Sequence, residues 1–513
     1  MADNLGSFKV FAEGGLNLNR DVLSQGERSP GSATSLINYE PANTGGYRRV
    51  SGFANSFGTV PGTGSTLGVV VANGINEGIL AARKPSSGYN YLHKWNSSSS
   101  DWDAVTTAGN PTMNGVGKVR FTRLNFGIPK VVLTDGINPA ATYDGTTYTA
   151  LTHASAPDDP KFSAVFQNHL FLAGDPNENT NLYYSAPYNE ADFSTGNGAG
   201  VFNVGFPIVA IKPFRDALYI FGTSHIKRLV GNNQADFAIQ HVTDDLGCLA
   251  SDSVIELAGD LLFLSQDGIR PVSGTDKIGD VNLQTLTKNI QSLFTDVVLE
   301  EDLDRLSTVI VRNKSQFRMF YDVDNANGLI GGLRQNEQGI GFEFGQLLGM
   351  EVTCADSGYI GQFEFVLHGD KSGKVHRQEQ GNNFGGGNIV SIYQTPFLHM
   401  QDPEQRKIIH TVATYLRSEG DNEIVMSVIY DYDDTTILNP TNFTLTNEGA
   451  AAYYNEAIYN ESSTIWSGNP SPVQRTNVSG SGKSVSFRYV TNDTNASHSV
   501  QGLVVTFAVG DRL

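Results

Sequence analysis

Cysteine is nearly missing from this chain: Cys248 and Cys354 are the only two in 513 residues. No disulfide framework and no zinc knuckle can be built from them, and their spacing is not that of metal ligands. They read as small core residues made in a reducing compartment. Long apolar runs are missing too. No stretch approaches the roughly 18 to 20 residues of a membrane-spanning helix, and Met1 to Ser7 lacks the apolar core of a secretion signal. A soluble chain without an export signal is expected. Charge is sparse, at 17% of residues, with no block of one sign and no heptad. That excludes a coiled coil and argues against disorder outside the termini. A basic stripe is also absent, and the formal net charge is −18. A protein that wraps duplex DNA needs cations to replace condensed counterions. An acidic surface still lets nucleic acid slide past without sticking, and it keeps a protein in solution.

What the chain has in abundance is turn chemistry. It holds 55 glycines, and Asn, Ser and Thr crowd the segments between short apolar runs. Those runs return about every 40 to 55 residues, a spacing that suits four short strands and their turns. They are Ile79 to Ala82, Val131 to Thr134, Leu170 to Ala173, Leu218 to Phe221, Leu261 to Ser265, Phe317 to Asp322 and Phe365 to Gly369. Two repeats agree closely: Asn168 to Gly174 leads to Asp192-Phe193, as Asp216 to Gly222 leads to Asp236-Phe237. The pattern predicts an all-β protein built on a β-propeller of about seven blades over residues 64–395.

Residues 1–63 form a different segment. Phe8 to Phe11 reads as a strand, and Ser29-Pro30 reads as a helix start with Ala33, Leu36 and Ile37 on its buried face. Leu283, Leu286, Ile290, Leu293, Phe294 and Val297 fall at helical spacing and predict one packing helix over a blade edge. Beyond Thr395-Pro396, alternation at Ile424 to Tyr430, Val485 to Tyr489 and Leu503 to Val509 predicts a β-sandwich-like domain over 396–513.

Motifs that would carry chemistry fail on inspection. Ser479 to Ser484 ends like a phosphate-binding loop, but Asn477 stands where that loop needs its first glycine, and an alternating strand follows instead of a helix. Asp322 to Gly328 has Ala326 at a calcium-ligand position and its glycine out of place, so a solvated Asn/Asp turn is expected. Asp431, Asp433 and Asp434 read as a strand end facing water. The ten histidines are scattered, with no His-x-x-x-His pair, and no Gly-x-Ser-x-Gly elbow occurs. No catalytic residue, metal or cofactor is assigned, and the chain is not expected to be an enzyme.

Two stretches carry a resemblance. The first contains Glu13 to Leu18, Ser29 to Ala33, Asn38 to Pro41 and Gly46 to Phe53; the second runs from Asp216 through Gly247 to Ala250, then Gly259 to Ser265 and Gly268 to Arg270. Together with Lys407 to Asp433, they resemble the tail nozzle, tail tube hub and packaged-DNA-stabilization proteins of short-tailed bacteriophages, loosely but over nearly the whole chain. The resemblance implies a structural virion protein in a hexameric ring below the portal and adaptor proteins. Such a ring forms the DNA ejection conduit, retains packaged DNA, passes duplex DNA transiently without specific binding, and seats fibres, a spike or a needle. It implies assembly in the host cytoplasm and residence in the virion tail. Arg48 and Arg49, inside the first stretch, are the candidate subunit-interface residues; the alternative is an intrachain bridge from the N-terminal segment to the first blade. The other functional class is a propeller that binds or hydrolyses glycans, which needs clustered carboxylates or aromatic platforms in one pocket.

Overall fold

The computed structural model describes residues 5–75, 78–86, 91–108, 117–275, 285–336, 339–400, 402–447 and 472–510. All seven apolar runs turn out to occupy equivalent places: each lies on the second strand of its sheet. Those strands are buried on both faces because neighbouring sheets cover them. His169–Ala173, Ala217–Phe221 and Gln316–Asp322 are buried at every position. Double burial favours a continuous apolar run over strict alternation, which is why these segments stand out in the sequence.

Six separate sheets form the blades of a β-propeller. They span 63–104, 106–150, 162–203, 210–243 and 255–271, and the sixth joins Cys354–Ile360, Phe363–Gly369 and Val375–Gln378 to Phe53–Ala54. The count is therefore six, not about seven. The remaining apolar run, Phe317 to Asp322, does lie in the ring, between the blades at 255–271 and 354–378. Its strands, Ser307–Val311, Gln316–Asp322, Asn327–Asn336 and Gly339–Leu348, are not a free-standing blade, because Gly339–Leu348 continues into further strands of a nine-stranded sheet. A strand whose outer edge is paired in this way cannot end a blade.

The extra strands come from both ends of the chain. Ser35–Ile37 pairs in parallel with Gly339–Leu348 and antiparallel with Ile389–Gln394, which then carries Val485–Asp493, Asn422–Tyr430 and Phe443–Asn447. A second sheet, of seven strands, is built around His498–Val509. It takes Gly6–Phe11 and Tyr47–Arg49 from the N-terminal segment and Lys407–Ser418 from the C-terminal one. The two sheets share one apolar core, in which Val10, Tyr39, Val412 and Val505 meet Leu36, Met426, Tyr489 and Phe487. Burying each such side chain contributes about 1.5–3 kcal/mol.

Two helix expectations come out differently. The helix near Ser29 lies one step earlier, at Val22–Arg28, capped by Asp21, whose carboxylate accepts from the Ser24 backbone N–H at 2.8 Å. Ser29 ends that helix, and Leu36 and Ile37 belong to a strand. Sheet neighbours on both sides of Ser35–Ile37 outweigh its apolar spacing. The second helix covers Gln291–Glu300 and buries Phe294 and Val297, with Ile290 just before it, against the blade residues Leu262, Leu264 and Ile269. Leu283 lies outside the described residues. No helix among the described residues is long and apolar enough to cross a membrane.

Candidate functional site

The first strand of each sheet faces the axis of the ring, and together these strands enclose a channel of about 820 Å³. Five cations line it, Lys118, Arg120, Arg123, Lys212 and Arg312, against three acids, Asp252, Glu256 and Asp356. A cation excess inside a chain of net charge −18 is a local inversion of the protein's field.

Near one end of the channel, side chains bond across it. Arg120, from the blade at 106–150, grips Asp252 with two bonds of 2.9 Å. Asp252 sits in the turn before the blade at 255–271, on the opposite wall. Lys118 reaches the same carboxylate at 3.0 Å, and donates to the Leu306 carbonyl at 2.5 Å and the Ser307 hydroxyl at 2.7 Å. All three groups lie where the inner strands begin, so the knot spans the channel at that end. Burial alone would raise the Asp252 pKa, but the charges of Arg120 and Lys118 outweigh it and hold the carboxyl well below the usual range. Further along, Arg123 donates to the Val71 carbonyl at 2.9 Å and to Asp356 at 2.5 Å. Burial still raises the Asp356 pKa despite that partner. Arg312 is held by Ser357 at 2.7 Å and Glu364 at 3.4 Å. Lys212 is solvent-accessible in the channel and forms no hydrogen bond or ion pair among the described residues.

Arg48 and Arg49 are nowhere near this channel, and both are engaged inside their own chain. Arg48 forms a two-pronged pair with Glu419, both bonds 2.6 Å, and a bond of 3.1 Å to Glu40. Arg49, 1% exposed, pairs with Asp493 at 3.0 Å and donates to the carbonyls of Asn495 and Ile389 at 2.8 and 3.1 Å. Their partners lie on the sandwich, not on the first blade. Glu40 also meets Lys314 at 2.6 Å and Arg318 at 3.4 Å, which carries the network into the ring.

The motif readings resolve as turns. Ser481–Gly482 is a short strand on Lys407–Ser418, followed by the strand Val485–Asp493. The Asp322 carboxylate accepts from the backbone of Asp324 and Asn325 and from both the Asn325 and Asn327 side chains, at 2.8–3.0 Å. Asp431, Tyr432 and Asp433 form a tight turn with three successive positive φ angles, not a plain strand end. No group of three acidic, histidine or cysteine side chains among the described residues is placed to hold a metal ion. Both cysteines are buried and unpaired.

The channel residues escaped the sequence reading because they are spread from Lys118 to Asp356. One signal was present: Lys118, Arg120 and Arg123 put three cations on and beside the inner strand of a repeat whose next strand has the apolar core Val131 to Leu133.

No family model matches the chain, and no curated protein does. Among solved structures, the extracellular domain of B. thetaiotaomicron BT4673 is 10% identical at a TM-score of 0.39; the match covers 66% of this chain and 41% of that one. An ancestral GH74 enzyme is 10% identical, with 73% of this chain and 53% of that one covered at a TM-score of 0.39. An exo-β-1,3-galactanase from Phanerochaete chrysosporium is 11% identical, with 89% and 100% covered at a TM-score of 0.27. At these values no activity transfers from any of them.

Proposed function

We propose that the protein is a non-catalytic building block of a virion: a subunit of the ring-shaped nozzle or hub of a short phage tail, whose ring forms the DNA conduit. The observation that carries this reading is where the N-terminal signature sits. Asn38 donates to the carbonyls of Leu348 and Val390 at 2.9 and 2.8 Å. Tyr39 bonds His498 at 2.7 Å, Glu40 gathers Arg48, Lys314 and Arg318, and Phe53 closes a blade. Asn38 and Glu40 join the ring to the sandwich, Tyr39 fixes the sandwich sheet, and Phe53 completes a blade. A signature made of joints suits a part that bears load. The tied channel also suits a solid block better than a pore, so the conduit is assigned to the space between subunits. Closed rings of that kind arise from repeated heterologous contacts.

Mass photometry and particle imaging of the protein with portal and adaptor proteins test the reading. A sixfold ring joined to the adaptor is expected. A protein that stays monomeric and fails to join them overturns it. The glycan reading needs free carboxylates in an open cavity, and in the channel Asp252 and Asp356 are both committed to cations. Release of sugar from bacterial surface glycan by the purified chain would move the assignment to that class.

A further inference from the structure

The channel holds a feature that a load-bearing role does not use. Lys118 and Arg120 are spent on Asp252, Arg123 on Asp356, and Arg312 on Glu364 and Ser357. Lys212 is left over. It projects from the inner strand Ala210–Phe214 and faces Asp356, Arg123, Glu256 and Asp252 across the cavity, with none of them within ion-pairing distance. Its ammonium is exposed to the solvent of the channel and has no ion-pair partner among the described residues. Five cations line the channel against three acids, and Glu364 just outside the lining offsets Arg312, which leaves an excess of one positive charge.

We propose that the channel is a binding site for a small multivalent oxyanion of the phosphate class, held by Lys212 with Arg123 and Arg312 as flanking charges. Walls of low dielectric focus the field of the cavity. The volume of about 820 Å³ admits inorganic phosphate or a mononucleotide but no duplex. Burial lowers the Lys212 pKa, with Asp356 and Glu256 opposing and Arg123 assisting. Binding of an anion is expected to weaken as pH rises through the range where free Lys212 loses its proton. This site does not depend on the tail assignment, since a monomer would bind equally well.

Isothermal titration of the full chain tests it, with inorganic phosphate in one arm and a nucleoside monophosphate in the other. Saturable binding is expected in at least one arm, and tighter binding in the second arm assigns the phosphate to a larger molecule. Loss of one charge-assisted contact weakens binding about 10- to 100-fold, so Lys212→Met is expected to fall in that range while Lys212→Arg stays close to wild type. Glu256→Gln removes an opposing charge and is expected to tighten binding. No binding in either arm overturns the proposal, as does equal affinity in wild type and a folded Lys212→Met. Should Lys212→Met not fold, unchanged affinity in Glu256→Gln overturns it as well.

Discussion

Arg49 carries a full charge at 1% exposure, tied to Asp493 and to three backbone carbonyls, counting that of Asp493 itself at 2.5 Å. Removing one member of such a buried pair costs about 3–5 kcal/mol, because the partner is stranded. Arg49→Met is expected to lower unfolding stability by that amount in urea titrations, and a loss under 1 kcal/mol would contradict the pairing. Buried histidines set the response to acid. Burial lowers the His498 pKa to about 3 and the His93 pKa to about 4, and drives that of His368 well down. In the unfolded chain all three return to about 6.5. The unfolded state then binds more protons, so their contribution is whole above pH 6.5 and is lost as pH falls below it, by up to about 1.4 kcal/mol per pH unit for each. Urea midpoints measured between pH 7.5 and 5 are expected to drop below pH 6.5; a flat profile would show that these rings are not kept neutral.

Short strands contribute most where they join elements far apart in sequence. Ser35–Ile37 and Phe53–Ala54 are three and two residues long, yet one continues a nine-stranded sheet and the other completes a blade. A chain starting at residue 55 lacks both, together with Gly6–Phe11 and Tyr47–Arg49. Calorimetry on 55–513 is expected to show no cooperative unfolding peak; a sharp one would mean these strands are decoration. Gly31 marks a point of close approach: a Cβ there would lie 1.5 Å from the Phe11 carbonyl oxygen. Its own carbonyl accepts the hydroxyls of Tyr47 and Tyr393 at 3.1 and 3.2 Å. Gly31→Ala is expected to cost about 1–3 kcal/mol through forced backbone movement, read as a lower melting temperature. The second strands of the repeat were legible because burial on both faces gives each a continuous apolar core. The N-terminal strands were not, because two or three residues hold no measurable period and their partners lie some 310 to 460 positions away.

At the scale of the molecule, the ring and the sandwich are tied together by charge as well as by strands. Glu40 and Glu379 receive Lys314 and Arg318, and Arg48 links Glu40 to Glu419 on the sandwich. Across the channel, Asp252 joins opposite walls. Asp252→Asn leaves Lys118 and Arg120 without their shared anion, and a destabilisation of about 2–4 kcal/mol is expected from the buried-pair penalty. A double-mutant cycle with Arg120→Met separates that coupling from other effects; additive losses would mean that the knot bears no load.

Composition and period alone determined that the chain is all-β, that its apolar segments repeat at blade spacing, and that its phosphate-loop and calcium-loop look-alikes are turns. Those properties are local: each follows from which residues a strand or turn tolerates. Tertiary structure decided the rest. It decided that one repeat fuses with a larger sheet and leaves six free blades, since edge pairing depends on strands from the far ends of the chain. It decided that Arg48 and Arg49 bond within the chain. It also gathered Lys118, Arg120, Arg123, Lys212, Asp252 and Asp356 around one axis, because closing a ring brings first strands together whatever their separation in sequence.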